Sequence, residues 1–262
     1  MGKRDAQTGR PLALVTGAAS GIGRATARRL ASAGMAVIAL DRSGEGLKAL
    51  AGEGGAIRAC SFDLSRTGTI PGLVARLTRR HGTITVLVNN AGTWFSERLV
   101  EIQDRHWETT LRVNVTAPMA LMRAVAPGMI AEGGGCIVNV ASRNGFVSSV
   151  ENTAYDASKA ALIAMTRTAA GELARHQIRV NAVCPGVIDT PPNRELIEDR
   201  RFNRSYRRLI PMDRFGLPEE IAGIVYFLTT QDAGFITGQT IVADGGQMAC
   251  QDWKRVFGME ST

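Results

Sequence analysis

The segment Leu12-Ala13-Leu14-Val15-Thr16-Gly17-Ala18-Ala19-Ser20-Gly21-Ile22-Gly23 indicates the fold of this chain. Its first four residues are apolar and long enough for a buried strand. Three glycines follow, and residues 24–33 then have the pattern of a helix that Gly34 ends. A strand, a glycine turn and a helix form the arrangement in which a helix N-terminus binds a pyrophosphate. The spacing G-x-x-x-G-x-G differs from the commoner G-x-G-x-x-G, so a tight turn without a ligand is the alternative.

Asp41 ends a second apolar run, Ala36–Leu40, and lies 18 residues after Gly23. A carboxylate at this position accepts both hydroxyls of an adenosine ribose and repels a 2′-phosphate. Residues 18–20 include no lysine or arginine that would hold such a phosphate. The pattern therefore favours NAD over NADP, although Arg42 is a neighbouring cation that would suit NADP. The alternative for Asp41 is a turn residue at a strand end.

Tyr155 and Lys159 lie four residues apart, and Ser142 lies thirteen residues before Tyr155. Residues at i and i+4 share one face of a helix, so a phenol and an ammonium are expected side by side. Such a phenol, with a hydroxyl to hold the substrate oxygen, can transfer a proton to or from an alcohol or carbonyl. Taken alone, Tyr-x-x-x-Lys is also a common pair on helix surfaces.

Between Pro11 and about Gly246 the chain resembles the short-chain dehydrogenase/reductase family. The motifs that carry the resemblance occur in the family's order: Thr16-Gly17-x-x-x-Gly21-x-Gly23, Asp63, Asn89-Asn90-Ala91-Gly92, Asn114, Ser142, Tyr155, Lys159 and Pro185-Gly186. The resemblance implies a Rossmann-like doubly wound α/β domain with a seven-stranded parallel sheet in the order 3-2-1-4-5-6-7. Apolar runs that alternate with helical segments independently favour a parallel sheet with helices on both faces.

The resemblance also implies roles for individual residues. The expected catalytic residues are Asn114, Ser142, Tyr155 and Lys159. Lys159 would lower the pKa of Tyr155 and bind the nicotinamide ribose, and Ser142 would hydrogen-bond the substrate oxygen. The expected cofactor-binding residues are Thr16, Gly17, Ser20, Gly21, Ile22, Gly23, Asp41, Arg42, Asp63, Leu64, Asn90, Ala91, Gly92, Tyr155, Lys159, Pro185, Gly186, Ile188 and Thr190.

Pro118 gives a separate reason to expect an irregular helix at Asn114. Proline has no N–H, so the helical hydrogen bond to the carbonyl of Asn114, four residues earlier, cannot form. We expect a kink there, with the Asn114 carbonyl free to accept from a polar partner such as water.

The composition limits the number of domains and the class of protein that this chain can represent. The 262 residues are 45% hydrophobic and 21% charged, as in ordinary globular proteins, and we expect one domain over residues 1–262. Residues 1–11 are polar and are expected to form a frayed extension. We find no signal peptide and no transmembrane-length apolar run, and the four cysteines have the scattered spacing of reduced thiols in a cytoplasmic protein. The three histidines are equally scattered, so no metal site is expected.

The net charge of the chain is +7, and its arginines concentrate in one segment. Seven arginines lie between Arg194 and Arg214, within the region of about 190–215 that forms a substrate lid in the resembled family. A basic stripe with interleaved aromatic residues is lacking, so nucleic acid is not an expected partner. Interleaved acids favour a salt-bridged surface, and the alternative is an arginine that binds a carboxylate or phosphate of the substrate.

The segment between Ser142 and Tyr155 is polar, which favours a hydroxylated small molecule such as a sugar, an aldonic acid or a polyol. The alternative is that these side chains face solvent or cap the next helix. The expected substrate residues are Ser142, Asn144, Trp94, Glu151, Asn152 and Tyr155.

The sequence leaves three functions open. The first is an NAD-dependent secondary-alcohol dehydrogenase of carbohydrate metabolism. The second is an NADPH-dependent 3-oxoacyl-acyl-carrier-protein reductase, against which Asp41 argues. The third is a non-catalytic nucleotide sensor, against which the complete catalytic set argues. The resemblance also implies a homotetramer formed through helices at about 109–131 and 153–174 and through the last strand near Ile241.

Overall fold

The computed structural model describes residues 10–54, 56–250, 252–257 and 259. Most of the extension expected at residues 1–11 lies outside the described residues. Pro11 is already attached to the fold, because its carbonyl accepts a hydrogen bond of 2.9 Å from the N–H of Ala36.

Seven parallel strands form one sheet in the order β3-β2-β1-β4-β5-β6-β7, which confirms the predicted fold class and strand order. The strands are β1 (Leu12–Thr16), β2 (Ala36–Asp41), β3 (Ile57–Ser61), β4 (Ile84–Asn89), β5 (Gly135–Val140), β6 (Ile178–Pro185) and β7 (Thr240–Ala243). In such a sheet ligands bind beyond the carboxyl ends of the strands, where the chain reverses its strand order between β1 and β4.

Helices cover both faces of the sheet. They are α1 (Gly21–Ser32), α2 (Gly44–Gly52), α3 (Ile70–His81), α4 (Asp104–Leu111), α5 (Ala117–Ala131), α6 (Thr153–Leu173), α7 (Arg194–Glu198), α8 (Arg200–Arg207), α9 (Pro218–Thr229) and α10 (Trp253–Val256). The expected lid contains α7 and α8. Among the described residues, no helix is both long and apolar enough to cross a membrane.

Two apolar cores lie on opposite faces of the sheet because successive strand side chains point to opposite sides. Leu12 and Leu14 of β1 belong to one core, and Ala13 and Val15 belong to the other. All four are fully buried. The carboxyl ends of the strands are therefore held in place from both faces.

The helix expected over about 109–131 is interrupted at the predicted place. Residues Arg112–Thr116 form a π-helical turn between α4 and α5, and the N–H of Ala117 bonds the carbonyl of Arg112, five residues earlier. Pro118 lies in the first turn of α5. A π turn inside a helix is often found at a functional site. The polar partner of the Asn114 carbonyl stays a prediction.

Candidate functional site

The glycine turn leaves no room for side chains. Gly17 has a φ of +67°, and a methyl group built on it would lie 2.8 Å from Nδ2 of Asn90. A methyl group on Gly23 would overlap the carbonyl oxygen of Gly17 and lie 2.5 Å from the same nitrogen. Ser20, the residue before α1, makes no side-chain capping hydrogen bond. The turn is thus a backbone cradle at an open helix N-terminus, which suits a pyrophosphate.

Thr16 and Asn90 hold the ends of β1 and β4 together. The Thr16 hydroxyl accepts hydrogen bonds from the N–H groups of Asn90, at 2.9 Å, and Ala91, at 3.0 Å. The Asn90 amide donates to the carbonyls of Thr16, at 2.9 Å, and Gly17, at 3.3 Å. Both side chains therefore stabilise the glycine turn from below, in addition to the cofactor contacts that the resemblance implies.

The Asp41 carboxylate lies directly against the glycine turn. Its Oδ2 accepts from the N–H of Ala19 at 3.1 Å, and its Oδ1 accepts from the N–H of Ser43 at 2.9 Å. Arg42 is exposed and interacts electrostatically with Asp63, whose pKa is lowered mainly by a hydrogen bond from the Ser65 N–H. A carboxylate beside the cradle and an adjacent cation are therefore both present at the adenosine end of the site.

The loop after β6 closes the other side of the site. The N–H of Gly186 bonds the carbonyl of Ala243 at 2.9 Å, and the Thr190 hydroxyl bonds the carbonyl of Ile188 at 3.4 Å. A methyl group built on Gly21 would lie 3.1 Å from Cγ2 of Thr190. The segment that includes Pro185 therefore reaches the glycine turn, and the described residues fit a bound dinucleotide at both ends.

The three residues Ser142, Tyr155 and Lys159 come together at the end of β5. Lys159 is buried, its Nζ donates to the carbonyl of Val140 at 2.9 Å, and it lies 5.5 Å from the centroid of the Tyr155 ring. The Ser142 hydroxyl accepts from the N–H of Asn144 at 3.1 Å, and its interaction with the Tyr155 phenol lowers the pKa of Tyr155 against the larger effect of burial. This geometry suits proton exchange with an alcohol or carbonyl oxygen held between Ser142 and Tyr155.

Burial is the main cause of the pKa shifts of Tyr155 and Lys159. It raises the pKa of Tyr155, against smaller lowering contributions from Ser142 and Arg143, and it lowers the pKa of Lys159 to about 8. In the chain by itself the pKa of Tyr155 is therefore raised, whereas the sequence analysis expected Lys159 to lower it. The reason is that desolvation disfavours both a phenolate and an ammonium.

Asn114 is tied to the catalytic helix by its side chain. Its Oδ1 accepts from the N–H of Thr93 at 2.9 Å, and its Nδ2 donates to the carbonyl of Thr93 and to the Ser158 hydroxyl, both at 2.9 Å. A methyl group built on Gly92 would lie 3.5 Å from Asn114 Oδ1 and 3.6 Å from Lys159 Nζ. Asn114, Gly92 and Lys159 are therefore neighbours. Sequence reasoning missed Thr93 and Ser158, although Ser158 lies inside the Tyr-x-x-x-Lys motif.

The expected substrate residues divide into two groups. Ser142 and Tyr155 face each other, whereas both donors of the Asn144 amide are engaged, with Asp156 at 2.7 Å and Ser149 at 3.3 Å. Asn144 is therefore held by hydrogen bonds within the chain, one of them to Asp156 in the first turn of α6, which was not foreseen, and its contact with a substrate stays a prediction.

The remaining substrate candidates lie nearer the surface. Glu151 accepts from the Ser96 hydroxyl at 3.3 Å and pairs with Arg98 at 3.6 Å. Asn152 precedes α6, and Trp94 is 45% exposed. Their contact with a substrate stays a prediction.

The cysteines are all free. Cys136 and Cys184 are buried, Cys60 is partly buried and Cys250 is exposed. Burial raises the pKa of Cys184, which lies near Ser142 and Lys159, to about 11, so this thiol stays protonated beneath the site.

Comparisons with known proteins agree with this geometry. The family model described as "Enoyl-(Acyl carrier protein) reductase" matches residues 17–248. A 3-oxoacyl-acyl-carrier-protein reductase of Thermotoga maritima is 41% identical over 237 residues, which cover 89% of this chain and 96% of the relative.

Two solved structures have similar folds. One is a 4-hydroxyisoleucine dehydrogenase complexed with NADH, with a TM-score of 0.88, 32% identity and coverage of 92% of this chain and 100% of the other. The second is a gluconate 5-dehydrogenase from Burkholderia cenocepacia in complex with NADP and tartrate, with a TM-score of 0.87, 32% identity and coverage of 92% and 96%.

Proposed function

Because the chain belongs to the short-chain dehydrogenase/reductase family, we propose that it is an NAD-dependent oxidoreductase that exchanges a hydride between nicotinamide and a secondary alcohol or the corresponding ketone. The observation that carries the choice of NAD is the Asp41 carboxylate, 3.1 Å from the Ala19 N–H of the glycine turn. A carboxylate at this distance from the cradle suits two ribose hydroxyls and repels a 2′-phosphate.

The residues of the chain supply the proton chemistry. Tyr155 takes the proton of the substrate hydroxyl while Ser142 holds the same oxygen, and Lys159 supplies positive charge behind the phenol. When bound, oxidised nicotinamide supplies the hydride acceptor and a further positive charge. This second charge favours the phenolate form of Tyr155, whose pKa is raised by burial in the chain by itself.

For the substrate we propose a polar hydroxylated small molecule, namely a sugar, an aldonic acid or a polyol. Solved relatives named for gluconate and 4-hydroxyisoleucine, both polar hydroxy acids, support this class. Trp94, Glu151 and Asn152 at the surface near the catalytic helix are the side chains that we expect to contact the distal hydroxyls.

A second candidate is an NADPH-dependent 3-oxoacyl-acyl-carrier-protein reductase. Exposed Arg42, next to Asp41, favours it as a cation for a 2′-phosphate, and the relative from Thermotoga maritima has this activity in its name. The arginines of α8 would then meet an acidic carrier protein.

Nicotinamide absorbance with purified enzyme distinguishes the two candidates. NAD and NADP are each offered with a panel of sugars, aldonic acids, polyols and simple secondary alcohols, and NADPH is offered with acyl ketones. Turnover of a hydroxylated substrate with NAD supports the first candidate, and turnover restricted to NADPH and acyl ketones supports the second. Absence of turnover in Tyr155→Phe, with cofactor binding retained, is the control that assigns the signal to this site.

A homotetramer, a cytoplasmic location and a place in carbohydrate metabolism are further parts of the proposal. Exposed apolar side chains on the surfaces expected to associate support the first: Met119, Ile130 and Val242. Sedimentation equilibrium of the purified protein tests it, and a monomer over the whole concentration range would exclude the tetramer.

A further inference from the structure

The backbone of Arg143 lies beside the residues that are expected to hold the substrate oxygen. It follows Ser142 directly, is half-buried and starts the short 3₁₀ turn Arg143–Gly145. This turn is pressed onto α6, because a methyl group built on Gly145 would overlap Ile163 and lie 3.1 Å from the carbonyl oxygen of Lys159. The backbone of Arg143 is therefore held rigidly beside the residues that bind the substrate oxygen.

The lid holds the other end of the Arg143 side chain. Its Nη2 donates a 2.7 Å hydrogen bond to the hydroxyl of Tyr206, on α8. The Tyr206 ring stacks on Phe202, with ring centroids 5.1 Å apart, and on Phe215, at 6.1 Å. An aromatic cluster thus fixes the lid against the guanidinium, 63 residues away in sequence.

The guanidinium has a neutral partner at this contact and no acidic one. Within the part of the chain that the structure describes, no ion pair involves Arg143, whereas Arg207 pairs with Asp213 at 3.0 Å and Arg214 pairs with Glu220 at 2.6 Å. The nearby Asp156 carboxylate instead accepts from the Asn144 amide and from the N–H of Ser149. A guanidinium has five N–H donors in a planar fork that matches a carboxylate, so donors remain for a ligand.

We propose that Arg143 binds the carboxylate of a hydroxy-acid substrate while Ser142 and Tyr155 hold the hydroxyl that is oxidised. Tyr206 is the positioning residue that orients the guanidinium from the lid. This inference rests on the proposed function and narrows its substrate class from sugars, aldonic acids and polyols to the acids. In this proposal the anion is bound from the catalytic turn and not by the seven lid-region arginines.

Gluconate and glucitol form a matched pair of probes, because they differ only in a carboxylate in place of a hydroxymethyl group. For each probe kcat and KM are measured with NAD in the wild type, Arg143→Gln, Arg143→Lys and Tyr206→Phe. Arg204→Gln is the matched control, since Arg204 is an exposed arginine of the same lid helix as Tyr206. It removes one positive charge without touching the catalytic turn.

The expected result is a loss of selectivity for the acid. Removing a charge-assisted hydrogen bond in Arg143→Gln lowers the ratio of kcat/KM for gluconate over glucitol by roughly 10- to 100-fold, mainly through KM. Arg143→Lys keeps the charge without the fork and should lose less, and Tyr206→Phe should lose a few-fold. Arg204→Gln should retain the wild-type ratio. An unchanged ratio in Arg143→Gln, or an equal loss in Arg204→Gln, overturns the proposal.

A binding measurement separates this proposal from the proposed function. Succinate is titrated into the enzyme–NADH complex, and nicotinamide fluorescence reports its dissociation constant in the wild type and in Arg143→Gln. Weaker binding in the variant without turnover of any alcohol would sustain the anion site and refute the proposed dehydrogenase. Oxidation of glucitol with no preference for gluconate and no succinate binding would sustain the dehydrogenase and refute the role of Arg143.

Discussion

Replacing Asp41 with asparagine is expected to move the cofactor preference from NAD toward NADP. The Asp41 carboxylate ends β2 and accepts from the N–H groups of Ala19, at 3.1 Å, and Ser43, at 2.9 Å. Asparagine keeps the size of the side chain and one acceptor oxygen but removes the negative charge. The substitution therefore changes the electrostatics of the adenosine end with little change in shape.

Two contributions determine the magnitude. A hydrogen bond from a ribose hydroxyl to a carboxylate contributes about 1.5–3 kcal/mol, so its weakening lowers kcat/KM for NAD roughly 10- to 100-fold. Repulsion between a carboxylate and a phosphate about 4 Å away costs ~1 kcal/mol in water and ~4 kcal/mol at a dielectric constant near 20. Because Asp41 is partly exposed, the smaller value applies. Together they shift the NADP/NAD ratio of kcat/KM by about 100-fold.

The assay is the initial rate of nicotinamide absorbance change with each cofactor at fixed substrate. Glu45→Gln is the matched control, because Glu45 is an exposed acid in the first turn of α2, close to Asp41 in sequence. It should leave the ratio within about 2-fold, as expected for an exposed charge. A ratio that Asp41→Asn does not change, or that Glu45→Gln changes equally, would refute the assignment of cofactor choice to Asp41.

Three further predictions concern the cradle and the catalytic helix. Tyr155→Phe is expected to lower kcat by about 10²- to 10⁴-fold, as for a positioned acid–base group, with an unchanged cofactor dissociation constant by fluorescence titration; near-normal turnover would exclude Tyr155 as the proton carrier. Gly23→Ala is expected to weaken nucleotide binding and lower Tm, because its methyl group would overlap the carbonyl of Gly17, whereas Gly223→Ala in α9 meets nothing within 4 Å and should raise stability by up to about 1 kcal/mol. Equal changes in the free energy of unfolding for the two alanine variants would contradict the interpretation that Gly23 has no room for a side chain. Burial lowers the pKa of Lys159 from 10.5 to about 8, so between these pH values the unfolded chain binds more protons at this residue, and the contribution of Lys159 to stability rises with pH by about 3 kcal/mol at most. Burial also raises the pKa values of Cys136 and Cys184 to about 11, which lowers stability above about pH 9, so the contribution of Lys159 is measured as the difference in urea unfolding between the wild type and Lys159→Met at stepped pH; a difference that does not change with pH would exclude this role of Lys159.

Much of the fold was predictable because its signals are local. The apolar run at Leu12 and the glycines that follow specify a strand, a turn and a helix from neighbouring residues alone. Tyr155 and Lys159 needed only the helical repeat to lie on one face. Pro118 indicated the interruption at Asn114 because its missing N–H acts on a carbonyl four residues away.

The roles of the polar residues around the site were not predictable in the same way. Asn144 lies in a polar segment and was therefore expected to contact the substrate. In the folded chain its amide donates to Asp156 and Ser149. Asn114 is held by Thr93, 21 residues away, and by Ser158, 44 residues away. A side chain with several donors and acceptors is specified only when its neighbours in space are known.

The sequence by itself determined the class of domain, the order of the motifs and the placement of Tyr155 and Lys159 on one helix face, since each depends on residue type and short spacing. Only the tertiary structure decided the direction of the Tyr155 pKa, because desolvation depends on every element packed around the phenol. It also decided that Arg143 meets Tyr206, since that contact exists only where α8 lies against the turn after β5.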